Sequence, residues 1–351
     1  MYNLDIAYVV SPAPSYVWEH LIPLYNVFPG KFIHLENINV PHHYPQFNNA
    51  KELNVTIEKI KLPDLNKNTL YISAYNSFKN FNIFILNHGI DEDDIWLSLH
   101  NNNLKFTKDS ILSFINNNKL PTFFDMFNNH VLSLTRINTP NILTEYTINK
   151  FNNMKKSKYY KLNSKNILVS LTAFSAQNSI YNYSNIRILI EQIIILADYG
   201  FNVFLRDHPI YKIKEFQTIF YNSIFYVDGC ISLYQLIKLC DLVITDGGST
   251  LSLSAYIGTI PICYCVNPNR HPKYKNIFKN LDGIIMNDKT CEIFVEGIIF
   301  IDKIIYFLKN GPDLKKIKKR IKYTLKWMKT FDHSNDAYII MNNIINKYNL
   351  R

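Results

Sequence analysis

Leu242-Val243-Ile244-Thr245-Asp246-Gly247-Gly248-Ser249-Thr250 is an apolar, β-branched run that ends in an aspartate and two glycines and then meets two hydroxyl residues. The run reads as a strand, and the glycines after it read as a tight turn into a helix over 249–257. A second strand, at 260–265, comes next. Parallel neighbours need a crossover, so strand, turn, helix, strand is the unit of a parallel sheet. Upstream the alternation recurs: a strand at 167–171, a helix at 186–199 capped by Gly200, strands at 202–205 and 224–227, and a helix around 232–240. Downstream, helical stretches at 291–309 and 313–329 precede a last helix at 335–348.

The first half reads the same way, with strands at 6–10, 32–35, 69–73 and 82–86 and a helix at 16–24 after Ser11-Pro12-Ala13-Pro14. A chain of 351 residues with 47% hydrophobic content exceeds one ordinary core. The expected division is residues 1–155, residues 166–330 and a C-terminal helix at 331–351. The basic, aperiodic stretch 152–166 between them has linker composition. The fold class is therefore α/β, with two Rossmann-like units.

Composition excludes a disordered chain, since 24 Tyr and 23 Phe supply ample apolar area. Lys and Arg exceed Asp and Glu by 38 − 28 = 10, which favours anionic partners. Cys230, Cys240, Cys263, Cys265 and Cys291 lack zinc spacing and read as reduced thiols. The first residues read as a strand rather than a leader, and no long uncharged apolar run suggests a membrane span, so a cytoplasmic protein is expected.

Three strand ends carry chemistry. Glycines at a strand-to-helix turn let backbone approach a ligand, and the helix N-terminus and hydroxyls offer donors, so Asp246, Gly247, Gly248, Ser249 and Thr250 suit a phosphate or diphosphate. The same residues also fit an ordinary glycine turn with Ser249 as N-cap. Arg206, Asp207 and His208-Pro209 follow another strand, at the edge where open α/β sheets bind ligands. His208 there can protonate or hold a leaving phosphate, and Arg206 can add charge. In the first half, the strand at 82–86 runs into Asn87-His88-Gly89 and the acidic cluster Asp91, Glu92, Asp93 and Asp94. His88 can serve as a base; the cluster reads as a solvated, helix-starting turn, with a cation site or support for His88 as the alternatives. His42-His43 and His271 read as loop residues.

Taken together, His88-Gly89, His208-Pro209, the Thr245 to Thr250 turn and Gly258-Thr259-Ile260-Pro261 resemble the CDP-glycerol glycerophosphotransferases, the teichoic-acid primase and polymerase group. The resemblance covers roughly residues 80–266. It implies a GT-B architecture of two facing domains with an interdomain cleft. Residues 1–155 would then form the acceptor side and 166–330 the nucleotide-donor side. It implies His88 as base toward the acceptor, and His208 with Ser249 and Thr250 as holders of the donor diphosphate. Where the family has Trp before the first histidine and Tyr-Ser-Ser in the donor turn, this chain has Asn87 and Gly247-Gly248-Ser249, which leaves the transferred group open.

The expectation is a metal-independent transferase without a cofactor. It takes a polyol-phosphate or sugar unit from a CDP- or CMP-linked donor to a surface-polysaccharide or lipid-linked acceptor. His88 or a nearby carboxylate, Asp94, takes the acceptor proton. Arg206, His208 and the residues Asp246 to Thr250 face the donor. A sialyltransferase-like GT-B enzyme, a UDP-sugar 2-epimerase-like enzyme and a non-catalytic nucleotide-sugar binder are the alternatives. The helix at 313–329 has a lysine face and the apolar positions Ile317, Ile321, Leu325 and Met328. Its lysines can meet solvent or, with the enzyme on the inner face of the membrane, anionic lipid. Nucleic acid is not expected, since no reader module accompanies the charge.

Overall fold

The computed structural model describes residues 5–10, 21, 24–25, 28–36, 56–61, 69–73, 83–85, 142–171, 183–208, 212–229, 231–245, 250, 254, 257–264, 292–294, 301–311 and 313–327. They contain two parallel sheets.

The N-terminal sheet comprises β1 (Asp5–Val9), β2 (Lys31–Leu35), β3 (Ile57–Ile60), β4 (Thr69–Ser73) and β5 (Ile83–Ile85), in the order β3-β2-β1-β4-β5. Every pair is parallel. Period-two alternation sends Ala7, Val9, Ile33, Leu35 and Tyr71 into one buried cluster. Tyr8 instead packs with Tyr25 and Phe32, at ring-centroid distances of 5.9 and 5.6 Å, and donates its hydroxyl to the Phe28 carbonyl at 2.6 Å. Burial holds that phenol well above its ordinary range. β3 is not among the strands expected from sequence. Its Ile-Glu-Lys-Ile pattern is that of an edge strand with exposed charges, one of which, Glu58, pairs with Lys31 at 3.4 Å.

The C-terminal sheet comprises β6 (Asn166–Ser170), β7 (Asn202–Arg206), β8 (Ile224–Val227), β9 (Leu242–Thr245), β10 (Ile260–Tyr264) and β11 (Glu292–Phe294). Its order is β11-β10-β9-β6-β7-β8, again all parallel. The chain moves outward through β7 and β8, then returns to the other side of β6 for β9, β10 and β11. That reversal is the doubly wound order, whose ligand edge is the carboxyl end of the strands.

Accompanying this sheet are the helices α1 (Ile142–Lys155), α2 (Tyr183–Asp198), α3 (Lys214–Thr218), α4 (Leu233–Lys238), α5 (Ile301–Asn310) and α6 (Leu314–Trp327), and Thr250, Ser254 and Ile257 are helical as well. Alternate strand residues feed two cores. Ile167, Val169, Val203, Leu205, Leu242 and Ile244 meet α2, α3 and α5, while Leu168, Phe204, Val227 and Val243 meet α1 and α4. The sheet is thus covered on both faces, which is why β7 and β9 read as continuous apolar runs.

α1 lies inside the range given to the N-terminal unit, yet Phe151, 1% exposed, packs on Phe204 of the C-terminal sheet with centroids 4.9 Å apart. The stretch 152–166, with its linker composition, continues α1 and then turns along the amino edge of that sheet. There the Lys161 amide donates to Asn202 Oδ1 at 2.9 Å and Asn202 Nδ2 returns a bond to the Lys161 carbonyl at 3.0 Å. Asp241 Oδ2 accepts the Asn166 amide at 2.8 Å, and its Oδ1 accepts Lys165 Nζ at 2.9 Å. Polar composition here serves edge capping, a use that composition alone does not separate from a linker.

Within 291–309, expected to be helical throughout, β11 occupies Glu292–Phe294 and the helix α5 begins only at Ile301. A three-residue edge strand carries too little periodicity to announce itself. α6 turns Ile317 and Ile321 onto Gly258, whose φ is +86°. A Cβ at that position would lie 3.3 Å from Ile317 Cγ2 and 3.6 Å from Ile321 Cδ1, so glycine serves both the left-handed turn and the close approach. The expected helix at 335–348 lies outside the described residues, as does most of that at 16–24.

Candidate functional site

β9, β6 and β7 are adjacent, and their last residues form one level of the carboxyl edge. Val169 is in register with Ile244, and Ser170 with Arg206, so Thr245, Ser170 and Arg206 stand side by side. All three are buried, at 0%, 1% and 3% exposure. An apolar sheet that places a hydroxyl, a hydroxyl and a guanidinium in one row at its ligand edge has concentrated polar groups where an apolar residue would cost least. The amino edge has polar groups too, the buried Asn202 and the half-buried Asn166, and their hydrogen bonds engage the capping turn.

Arg206 does more than carry charge. Its Nη2 donates to the carbonyls of Gly229 at 2.7 Å and Ile231 at 3.1 Å, and its Nη1 to that of Asp207 at 3.3 Å. The guanidinium therefore fastens the loop after β8 to the end of β7. Asp207, 1% exposed, faces the other side of the sheet. Its Oδ1 accepts the Ile213 amide at 2.9 Å, and its Oδ2 accepts the Tyr226 hydroxyl at 2.6 Å and Gln217 Nε2 at 3.1 Å. Burial first, and the bond to Asp207 second, hold the Tyr226 phenol well above its ordinary range. His208 comes immediately after and is half-buried.

Thr250 is helical and 7% exposed, and its carbonyl accepts the Ser254 hydroxyl at 2.7 Å. The Thr245 to Thr250 segment thus runs from the end of β9 into a helix. Asp246, Gly247, Gly248 and Ser249 themselves lie outside the described residues, as do His88, Asp94, His42, His43 and His271. The structure thus brings Arg206, Asp207 and His208 to the strand edge that β9 also ends on. It gives no relation between these and the N-terminal histidine.

Sequence reading passes over Tyr226 and Gln217. No local sequence signal marks Tyr226: the register of β8 on β7 sets it beside Leu205, and residues two apart share a face, so Tyr226 and Asp207 belong to one side of the sheet. Among the described residues no group of three or more His, Cys, Asp or Glu is placed to hold a metal ion. A cavity of about 270 Å³ lies at the opposite, amino edge, lined by Lys165, Lys238, Asp241, Thr259, Leu308 and Gly311 among others.

No protein-family model matches the sequence, and no curated protein matches it. Solved structures do. One of the wall teichoic acid polymerase TagF, a variant soaked with CDPG, superposes with a TM-score of 0.55 at 13% identity, covering 99% of this chain and 89% of that one. A second TagF variant gives 0.50 at 11% identity over the same shares. The UDP-GlcNAc 2-epimerase of Neisseria meningitidis, bound to UDP-GlcNAc, gives 0.48 at 10% identity, covering 98% and 100%. At such identities the TagF likeness establishes the fold: two parallel-sheet α/β units of the GT-B type.

Proposed function

We propose that the chain is a GT-B transferase that moves a polyol-phosphate or sugar unit from a CDP- or CMP-linked donor to a surface-polysaccharide or lipid-linked acceptor. The observation that carries this reading is the convergence of the β7 and β9 ends at the carboxyl edge of a doubly wound sheet, with His208 on one and Thr250 beyond the other. That edge is where such sheets take nucleotides. The fold shared with TagF, in a structure soaked with CDPG, supports a cytidine-type donor.

For a CDP-linked polyol the acceptor oxygen forms a bond to the outer phosphorus and the pyrophosphate P–O bond breaks, releasing CMP. For a CMP-linked sugar the new bond is to the anomeric carbon, and CMP leaves with the bridging oxygen. In either case negative charge grows on the departing cytidine phosphate. His208 donates a hydrogen bond or a proton to it, and Gly247 to Thr250 offer amides and hydroxyls. Arg206 contributes positive charge from beneath that edge, and Asp246 is assigned to the donor side with the turn residues. On the acceptor side, His88 or Asp94 accepts the hydroxyl proton. No metal is assigned to the step.

The exposed lysines of α6 suit an acceptor presented at an anionic membrane surface on the cytoplasmic side. Lys315, Lys316, Lys318, Lys319 and Lys322 are exposed while Ile317 and Ile321 pack inward. Among the described residues no helix is long and apolar enough to cross a membrane.

The test is a panel of CDP-polyols, CMP-sugars and UDP-sugars, read by thermal stabilisation and by nucleotide release with an acceptor present. A donor at 100 times its dissociation constant adds about 2.7 kcal/mol. Cytidine-linked donors are expected to stabilise the protein and release CMP, with His208→Ala slowing release about 100-fold or more. Conversion of a UDP-sugar without an acceptor would favour the epimerase reading. Binding without turnover of any donor would favour a binding protein.

A further inference from the structure

We propose that Asp207 is a positioning residue for His208, acting through Tyr226, Gln217 and the Ile213 amide to hold the loop on which His208 stands. The inference rests on the reading of His208 as the group at the leaving phosphate.

Every polar atom of residue 207 is engaged. Its amide donates to the Val227 carbonyl at 3.3 Å, extending the β7–β8 ladder one residue beyond the strand. Its carbonyl accepts Arg206 Nη1 at 3.3 Å. Its carboxylate takes three donors, from Ile213, Gln217 and Tyr226. A carboxylate at 1% exposure needs such partners, since an unpaired one would be costly. An apolar side chain here would leave the buried Ile213 amide and the Tyr226 hydroxyl without this acceptor. The polar cluster also has a geometric product.

The bond from the Ile213 amide closes the chain from 207 to 213, so His208 lies in a loop fastened at both ends. Pro209 restricts His208 further, because a residue before proline is pushed to extended dihedrals. The Tyr226 hydroxyl, at 2.6 Å, is the shortest of the three bonds to the carboxylate and comes from the edge strand β8. It ties the carboxylate to the sheet rather than to the loop. A misplacement of about 1 Å in a reacting group can cost of the order of 100-fold in rate, which is the scale on which such a clamp acts.

The experiment compares Tyr226→Phe, Asp207→Asn, His208→Ala and the His208→Ala/Tyr226→Phe double variant. Tyr221→Phe serves as control, because its hydroxyl bonds Asp198 at 2.5 Å away from this loop. CMP release from a cytidine-linked donor gives kcat and KM. Histidine-selective ¹³C labelling, with the His208 ring signal identified by its loss in His208→Ala, gives a readout that needs no activity. Tyr226→Phe is expected to lower kcat about tenfold with donor KM little changed, to shift the His208 ring signal, and to have no further effect in the His208→Ala background.

Multiplying effects in the double variant would overturn the proposal, as would an unmoved His208 signal or a fall in melting temperature at unchanged kcat. If Asp207→Asn does not fold, Tyr226→Phe carries the test. Wild-type turnover in His208→Ala, or no release from any donor, would refute the functional reading. The ring signal would then still decide whether Asp207 positions His208.

Discussion

Replacing Arg206 by Met separates two jobs that a cation at this strand end could do. The side chains are of similar length, so the core around β7 keeps its volume while the Gly229 and Ile231 carbonyls lose their donor. Each buried carbonyl left without a partner costs about 1–3 kcal/mol. The bond to Asp207, at 3.3 Å, is long and adds little. Two carbonyls give about 2–6 kcal/mol, and relief from burying a guanidinium brings the expectation to the lower half, about 2–4 kcal/mol. At roughly 2–4 °C per kcal/mol for a unit of this size, the melting temperature should fall by about 4–16 °C. Arg206→Lys should lose an intermediate amount, because a single ammonium does not reproduce the guanidinium fork. Arg187→Met is the control: its pair with Glu191, at 3.3 Å, is exposed, and such helix pairs contribute only about 0.3–0.5 kcal/mol. Calorimetry or denaturant titration reads all three. A melting temperature within about 2 °C of wild type, accompanied by a donor KM raised about tenfold, would defeat the fastening role and return Arg206 to a direct phosphate contact.

Phe151→Ala should destabilise the C-terminal unit by about 3–5 kcal/mol in denaturant titration, because α1 contributes a fully buried ring to its core. Gly258→Ala should cost about 1–2 kcal/mol for the left-handed dihedral alone, and hydrogen exchange should show α6 loosened where Ile317 must give way. His34 is held below its usual range by burial first and then by Lys59, so the unfolded chain binds its proton more readily. Its contribution is therefore present above the ordinary value of 6.5 and is lost as pH falls below it, which a comparison of wild type with His34→Gln at two pH values would show as a smaller acid loss in the variant. Changing Lys318, Lys319 and Lys322 to Gln should weaken sedimentation with acidic vesicles at low salt, each lysine near such a surface contributing about 1 kcal/mol; equal sedimentation with neutral vesicles would reject the lipid contact.

Strand existence is legible in the sequence because burial on both faces leaves little choice of residue. Asn202–Arg206 and Leu242–Thr245 are buried at every position, and their apolar runs stand out from the flanking glycine and polar residues. Edge strands are not legible for the same reason reversed. Ile57–Ile60 exposes its centre, and Glu292–Phe294 is three residues long, so neither has to be apolar or periodic enough to distinguish it from loop or helix. α1 is not among the helices read from sequence, because its apolar spacing is weak, and the packing of Phe151 on Phe204 is set by the fold rather than by a local pattern.

The same limit governs the site. Sequence places Arg206, Asp207 and His208 past the end of an apolar strand, and the doubly wound order makes that end a ligand edge. It does not say whether a charge there serves a ligand or the protein. Arg206 and Asp207 fall on opposite faces by strand alternation, and each meets a different set of partners: carbonyls of the loop after β8 on one side, and an amide, an amide side chain and a phenol on the other. Those partners come from residues 6 to 25 positions away, through a register that no local pattern encodes. Two neighbouring buried charges thus resolve into two separate fastenings, and the half-buried His208 between them and Pro209 is the residue of the three with surface to offer a ligand. The proposed donor contact at this strand end therefore rests on His208, and the two charges before it are worth testing for geometry as well as for electrostatics.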